Sequence, residues 1–288
     1  MGGFAFIFPG QGAQTVGMGK ELADNFPAAK AVFDEVDATL NENFSKLIWE
    51  GPEDDLTLTA NTQPALMAVS VAVMRTLDAE FGISADRAKF VAGHSLGEYS
   101  ALAAAGALDV SDAARLLRLR GEAMQAAVAP GEGAMAALLG ADLETAEAAA
   151  EKGRAHGVCD IANDNAPGQL VLSGDKLAVE TAAAAAKEAG VKKAVMLAVS
   201  APFHCQLMQP AQDKMAEALA DTVFKAPVTP LVANVTARPT SNPDEIKAHL
   251  IEQVTGRVRW RESVEWMASE TGGGLETLVE AGAGKVLT

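Results

Sequence analysis

Basic residues are scarce in this chain. Against 38 aspartates and glutamates it sets only 23 lysines and arginines, a formal net charge of −15 over 288 residues. A chain of that sign has no excess of cations to neutralise phosphates, which excludes a nucleic-acid binder. Any phosphate-bearing substrate has to meet a local basic patch rather than a general field. Cysteine is almost missing: Cys159 and Cys205 form neither a disulfide framework nor a metal-ligand spacing, so no metal site is expected. Aromatics make up only 5% of the residues, and the core has to come from the alanine- and valine-rich 49% that is hydrophobic. Met1-Gly2-Gly3-Phe4-Ala5-Phe6 has no basic region, no long apolar stretch and no Ser or Thr at position 6, so neither a signal peptide nor myristoylation is expected. No apolar run approaches the roughly 20 residues of a membrane span. A cytoplasmic protein without a membrane partner is expected.

What is present is a nucleophile. Val91-Ala92-Gly93-His94-Ser95-Leu96-Gly97-Glu98-Tyr99 reads as a strand, a G-x-S-x-G turn and a helix start. Glycines on both sides let strand and helix approach closely and leave Ser95 on a strained turn with its oxygen exposed. The backbone N–H groups of the helix start then face any oxyanion formed there. The alternative is an ordinary tight strand-to-helix connection, so the context has to decide. Lys89 to Ala92 is short and apolar, and Leu96 to Ala105 has no breaker after Gly97.

Strands and helices alternate along the rest of the chain. Phe4 to Phe8 reads as a strand ending in the loop Pro9-Gly10-Gln11-Gly12, and Thr62-Gln63-Pro64 as the start of a helix running to about Phe81. A helix from Ser111, taken as its N-cap, runs to about Ala127. After the break at Pro130-Gly131-Glu132-Gly133 come a strand (134–139), a helix (143–152), two strands (158–162 and 169–173), a helix (176–189) and a strand (193–199). That β-α-β-β-α-β order is the split βαβ order of a ferredoxin-like unit. The expected class is therefore α/β, with a larger domain over 1–128 and 200–288 and an inserted ferredoxin-like subdomain over 129–199. The larger domain resumes with a helix (206–220), a strand near 228–232, helices near 244–253 and 258–269, and a strand at 275–280.

Four histidines could serve Ser95 as a base. His94 adjoins the nucleophile and points elsewhere at an elbow; His156 and His249 lie among polar and charged neighbours and read as surface. His204, in Val199-Ser200-Ala201-Pro202-Phe203-His204-Cys205, sits in a loop after a strand, where catalytic groups gather. A helix-entry histidine making only a local hydrogen bond fits the same spacing.

Phe8-Pro9-Gly10-Gln11-Gly12, Thr62-Gln63-Pro64-Ala65, Gly93 to Tyr99, Arg120-Gly121, Ala201-Pro202-Phe203-His204 and Gly282-Ala283-Gly284-Lys285 occur in one register along the whole chain. In this the chain resembles the malonyl-CoA:acyl carrier protein transacylases of bacterial type II fatty acid synthesis. The resemblance implies an α/β-hydrolase-like large domain, a ferredoxin-like small one and a site in the cleft between them. It implies a monomer with two partners, malonyl-CoA and acyl carrier protein, and no cofactor beyond the partner's own pantetheine arm. Ser95 would be the nucleophile and His204 the base, with the Gln253 main-chain carbonyl orienting the histidine. The Gln11 and Leu96 N–H groups would form the oxyanion hole. Arg120 would hold the free malonyl carboxylate; Gln63, Phe203, Asn163 and Asn165 would contact substrate. Asn163-Asp164-Asn165-Ala166-Pro167-Gly168 also reads as a simple Asn/Gly turn. Met124 and Met135 read as core, and Ser200 as a further substrate contact. Gly282-Ala283-Gly284 carries alanine where relatives often have proline. Relatives also continue past Lys285-Val286-Leu287-Thr288, so a further natural tail is expected. The basic clusters Lys192-Lys193 and Arg257-Arg259-Arg261 are candidate carrier protein contacts. The competing function is a serine thioesterase or hydrolase, which needs an acid among Asp109, Asp160, Asp164 and Asp175.

Overall fold

A computed structural model describes residues 3–288 as a mixed α/β protein with two sheets. Strand β1 (Gly3–Phe8), buried from Ala5 onward, is followed by α1 (Lys20–Asn25), α2 (Pro27–Leu40), α3 (Phe44–Glu50), α4 (Glu53–Thr57) and α5 (Thr59–Phe81). Strand β2 (Phe90–Gly93), α6 (Gly97–Ala104) and α7 (Val110–Ala126) come next. The middle of the chain forms β3 (Gly133–Leu139), α8 (Leu143–Gly153), β4 (Cys159–Ala166), β5 (Gln169–Asp175), α9 (Lys176–Glu188) and β6 (Lys193–Met196). The end returns with α10 (Gln209–Ala220), β7 (Leu231–Ala233), β8 (Arg238–Thr240), α11 (Pro243–Gln253), α12 (Trp260–Ala268) and β9 (Leu275–Glu280).

The larger sheet has the order β8-β7-β2-β1-β9, with β7, β2, β1 and β9 parallel and β8 antiparallel at the edge. In the central pair Phe8 lies opposite Gly93, so the Gln11 loop and the Ser95 elbow leave the same carboxyl edge side by side. The smaller sheet, β4-β5-β3-β6, is antiparallel throughout. Strand alternation gives it two working faces. Ala136, Leu138, Leu170 and Leu172 pack into a core with the alanines of α8 and α9, whereas Met135, Ala162 and Val171 pack toward Phe203 of the other half.

Several expected boundaries move. Helix α5 starts at Thr59 rather than Thr62, because Pro64 removes one N–H from the ladder and the turn before it still closes through Thr62 N–H to the Leu58 carbonyl (2.8 Å). The N-cap of α7 is Asp109, not Ser111, and the Asp109 carbonyl accepts from Ala113 N–H. Strand β4 runs four residues past Ala162, to Ala166, which places Asn163 and Asn165 on a strand rather than in a loop. Val258 does not begin a helix: it bridges to β4, exchanging bonds with Ala162 and Asp164 (2.8 and 2.9 Å). Strand β6 ends at Met196, three residues before Val199, and β7 begins at Leu231. Helices α1 to α4 and strand β8 carried no sequence expectation.

Candidate active site

The elbow is as tight as its glycines allow. A Cβ on Gly93 would lie 1.9 Å from the Gly97 carbonyl carbon, so neither chain could pass with a side chain there. Ser95 has φ 54°, in the left-handed region that costs a non-glycine residue about 1–2 kcal/mol. Hydrogen bonds hold it in place. Ser95 N–H donates to Asn234 Oδ1 (2.8 Å), the Ser95 carbonyl accepts from Gln253 Nε2 (3.0 Å), and the Gly93 carbonyl accepts from Asn234 Nδ2 (2.7 Å).

His204 follows β6 through a short loop and also has a left-handed backbone, φ 57°. Its Nε2 lies 2.8 Å from Ser95 Oγ, and its Nδ1 2.8 Å from the Gln253 main-chain oxygen. A carbonyl only accepts, so Nδ1 carries the hydrogen and Nε2 is free to take the serine proton. Burial, with Arg120 nearby, pulls the imidazole down to about 3. The four aspartates open to a hydrolase triad are occupied elsewhere. Asp109 meets Lys225, Asp160 meets the Gln206 N–H, Asp164 pairs with Arg261, and Asp175 meets the Val158 N–H. The hydrolase reading is left without its acid.

Arg120 is 1% exposed. A Cβ on the next residue, Gly121, would sit 2.5 Å from the Ala60 Cα, so α7 and α5 touch backbone to backbone and Arg120 emerges beside Gln63. The guanidinium donates to Gln63 Oε1 (2.7 Å), Gln253 Oε1 (2.8 Å) and Ser95 Oγ (3.1 Å), all neutral groups. A buried guanidinium bonded only to neutral groups can still form a bidentate pair with an incoming carboxylate. Arg115 and Arg118 are tied to Asp112 and Glu42 outside the cavity.

Ser95, His204 and Arg120 face a cavity of about 220 Å³ whose wall includes Gln11, Gln63, Leu96, Met124, Phe203, Asn163 and Asn165. Met124 and Met135, expected in the core, are buried and also line this wall; Gln63 Nε2 reaches Met124 Sδ at 3.8 Å. Asn163 and Asn165 sit two apart on β4 and share a face, while Asp164 turns away to Arg261. Asn165 Oδ1 lies 2.8 Å from His94 Nε2, so His94 links the elbow to the small sheet. Burial lowers the His94 pKa, with that hydrogen bond opposing. Gln11 Nε2, Thr59 Oγ1 and Ser200 Oγ form a chain at the rim (3.2 and 3.1 Å); Ser200 itself is exposed and outside the cavity wall. Arg259 and Arg261 are bound to Glu262, Asp164 and Glu265, which leaves them poorly placed for a partner. His249, read as surface, is half-buried with its Nδ1 enclosed.

Two site residues carried no role in the sequence reading. Asn234, just past β7, ties down both Gly93 and Ser95. Glu98, in the first turn of α6, is 1% exposed; it accepts from Asn234 N–H (2.9 Å) and from Gln253 Nε2. Burial pushes its carboxyl up to about 8. An acid inside the alanine-rich stretch after the elbow was the available signal.

Residues 5–283 match the family model described as acyl transferase domain. The chain belongs to that family. It is 48% identical over its full length to 89% of the malonyl CoA-acyl carrier protein transacylase of Bacillus subtilis strain 168. The enzyme of the same name from Escherichia coli K12 is 46% identical over 99% of this chain and 90% of its own. Among solved structures, an acyl-carrier-protein-S-malonyltransferase from Bartonella henselae superposes with a TM-score of 0.95 at 56% identity, covering 99% of this chain and 90% of that one. A malonyl-transacylase solved in complex with its type II PKS acyl-carrier protein gives 0.94 at 43%, with 99% and 90% covered.

Proposed function

We propose that this chain moves the malonyl group of malonyl-CoA to the phosphopantetheine thiol of acyl carrier protein through a malonyl-serine, as an [acyl-carrier-protein] S-malonyltransferase of fatty acid synthesis. Ser95 Oγ bonds to the thioester carbonyl carbon while its proton passes to His204 Nε2. The oxyanion that forms is received by the N–H groups of Gln11 and Leu96. The carbon–sulfur bond then breaks, the proton goes to the leaving sulfur, and CoA departs as a thiol. In the return half the carrier thiol gives its proton to His204 and its sulfur attacks the acyl carbon; Ser95 leaves and recovers the proton. Gln253 orients the base with a neutral carbonyl, which suffices because a thiolate is a good leaving group. No cofactor takes part.

The observation that carries this reading is Arg120, a buried guanidinium bonded only to neutral groups and 3.1 Å from the nucleophile. It suits an acyl group with its own carboxylate and disfavours acetyl, which would leave the charge unpaired. Gln63 and Phe203 shape the acyl end of the pocket, and Asn163 and Asn165 receive the thioester arm. The reading takes 1–128 and 200–288 as an α/β-hydrolase-like catalytic domain and 129–199 as a ferredoxin-like subdomain, a division supported by the two sheets and by the strand order of the smaller. It assigns a monomer working in the cytoplasm; no described helix is long and apolar enough to cross a membrane. Lys192-Lys193 then become the stronger carrier contact, since both are exposed while Arg259 and Arg261 of the arginine cluster are ion-paired. Reversing both lysine charges should slow transfer to carrier protein and spare loading from malonyl-CoA.

Intact-mass measurement tests the reaction. Incubation with malonyl-CoA should give a malonyl-sized adduct that Ser95→Ala abolishes and that carrier protein discharges. Equal loading by acetyl-CoA, or discharge to water as fast as to carrier protein, would sink the assignment.

A further inference from the structure

Glu98 lies inside the site and takes no part in the proton transfers. A glutamine amide has a donor end and an acceptor end, and turning it over exchanges them. Around Gln253 the partners are already sorted. Its Nε2 donates to the Ser95 carbonyl at 3.0 Å and to Glu98 Oε2, and its Oε1 accepts from Arg120 Nη2 at 2.8 Å. Without Glu98, a reversed amide would forfeit the Ser95 bond and turn its NH₂ toward the Arg120 guanidinium. An ionised Glu98 only accepts, so with it in place reversal would in addition set a carbonyl against a carboxylate oxygen. Glu98 is held in turn by the Asn234 N–H at 2.9 Å and by its place at the N-terminus of α6, where an acidic side chain is favoured.

We propose that Glu98 is a positioning residue for acyl selectivity: it locks the Gln253 amide so that Arg120 is presented to the carboxylate of the acyl group. Three links carry the effect, from Glu98 to Gln253, from Gln253 to Arg120 and from Arg120 to the substrate. The inference rests on the malonyl-transfer reading and names what keeps that reading's key cation in place. Arg120 gains orientation through a neutral amide, so its charge stays available; a carboxylate in direct contact would compete with the substrate.

The ratio of kcat/KM for malonyl-CoA to that for acetyl-CoA tests this in the wild-type chain, Glu98→Gln, Gln253→Met and the double variant. Gln253→Met breaks the bridge from its other side, keeps the main-chain carbonyl for His204 and carries the test alone if Glu98→Gln does not fold. Each single variant should lower the ratio about tenfold, the scale of one misplaced charged hydrogen bond. The double variant should lose little more, because both changes cut one bridge. A merely structural Glu98 would depress both acyl groups alike and leave the ratio unmoved, and that result overturns the proposal; so do fully additive losses. A wild-type chain that loads no malonyl on Ser95 overturns the transfer reading and this one with it. Wild-type loading with an unchanged ratio in both single variants overturns this one alone.

Discussion

On one side of the cleft the half built on the five-stranded sheet carries Ser95, His204, Arg120 and Gln253, with the first two in left-handed backbone conformations. On the other, the half built on the four-stranded sheet adds Met135, Val171, Asn163 and Asn165 to the cavity wall and no charged side chain. Their cores differ in the same sense. The first packs Phe6, Phe8, Phe33, Phe44, Ile48 and Tyr99; the second is dominated by alanines from α8 and α9. Strained conformations persist only where their surroundings over-determine them, and dense packing of large side chains supplies that constraint. Strain, buried charge and large side chains all gather in the half that carries Ser95 and His204, and the other half makes do with a thin alanine core.

The sharpest break of this contrast is a single methyl group placed in each half. Gly93→Ala drives a Cβ into the Gly97 backbone at 1.9 Å, where no side chain can yield. Loss of folded protein, or of Ser95 loading by more than about 10²-fold, is expected from so direct an overlap. Gly131→Ala, in the connection to the small half, meets nothing within 4 Å and costs only its positive φ, about 1–2 kcal/mol. Thermal melts and intact-mass loading of the two variants decide; similar melts would mean that close approach is not what holds the elbow.

Next in size is the proposed base. His204→Ala should slow malonyl loading by about 10²–10⁴-fold, the usual contribution of a general base. Asn163→Ala, across the cleft, should cost a few-fold at most, since it removes one neutral contact. Stopped-flow or quenched loading with malonyl-CoA measures both. Comparable losses would put part of the chemistry on the small half.

Much of this asymmetry was legible in the sequence. G-x-S-x-G marked Ser95 as the proposed nucleophile because the motif is local, and the alternation of strands and helices in 134–199 exposed the elements of the four-stranded sheet because each is short and strongly patterned. The main-chain role of Gln253 and the place of Arg120 came only through resemblance, since no spacing rule brings residues 95, 120, 204 and 253 together. Glu98 and Asn234 stayed hidden for a related reason. Their roles are hydrogen bonds to backbone and amide groups far away in sequence, and a buried glutamate in a helix looks like a solvated one until its surroundings are known. Helices α1, α3 and α4 have only five to seven residues, too few for a pattern to accumulate, whereas α2, with 14 residues and Ala29, Val32, Phe33 and Val36 on one buried face, carried a pattern that could have been read.

Two buried groups of the catalytic half should also shape stability against pH, with opposite signs. His204 falls from 6.5 to about 3. The folded state then refuses a proton that the unfolded chain binds, so this contribution is whole above pH 6.5 and drains as pH falls toward 3, by up to about 1.4 kcal/mol per unit. Glu98 rises from 4.5 to about 8. Its contribution is whole below pH 4.5 and is lost as pH climbs through 8, at a similar slope. From these two groups the stability curve should be flat between about pH 4.5 and 6.5 and fall on both sides. Melting temperatures from pH 4 to 9 should lose the alkaline arm in Glu98→Gln and the acid arm in His204→Gln. An inflection in loading near pH 6.5 would contradict the depressed imidazole.

The smallest expected effect bears most directly on whether the small half only covers. Asn165 meets His94 at 2.8 Å, and His94 adjoins Ser95, so among the described residues this is the side-chain hydrogen bond by which the small half reaches the elbow. A neutral hydrogen bond contributes about 0.5–1.5 kcal/mol, so Asn165→Ala should change kinetic constants by only about two- to tenfold. The division of that change matters more than its size. If the small half covers and positions the thioester arm, KM for malonyl-CoA rises and kcat stays. A fall in kcat at constant KM would mean that Asn165 steadies the elbow through His94, because an interaction felt only in the transition state lowers kcat and leaves ground-state binding alone. The same split at Asn163, whose side chain makes no hydrogen bond to a histidine among the described residues, serves as the control: a kcat effect at Asn165 alone would extend the strained, over-determined region across the cleft by one residue.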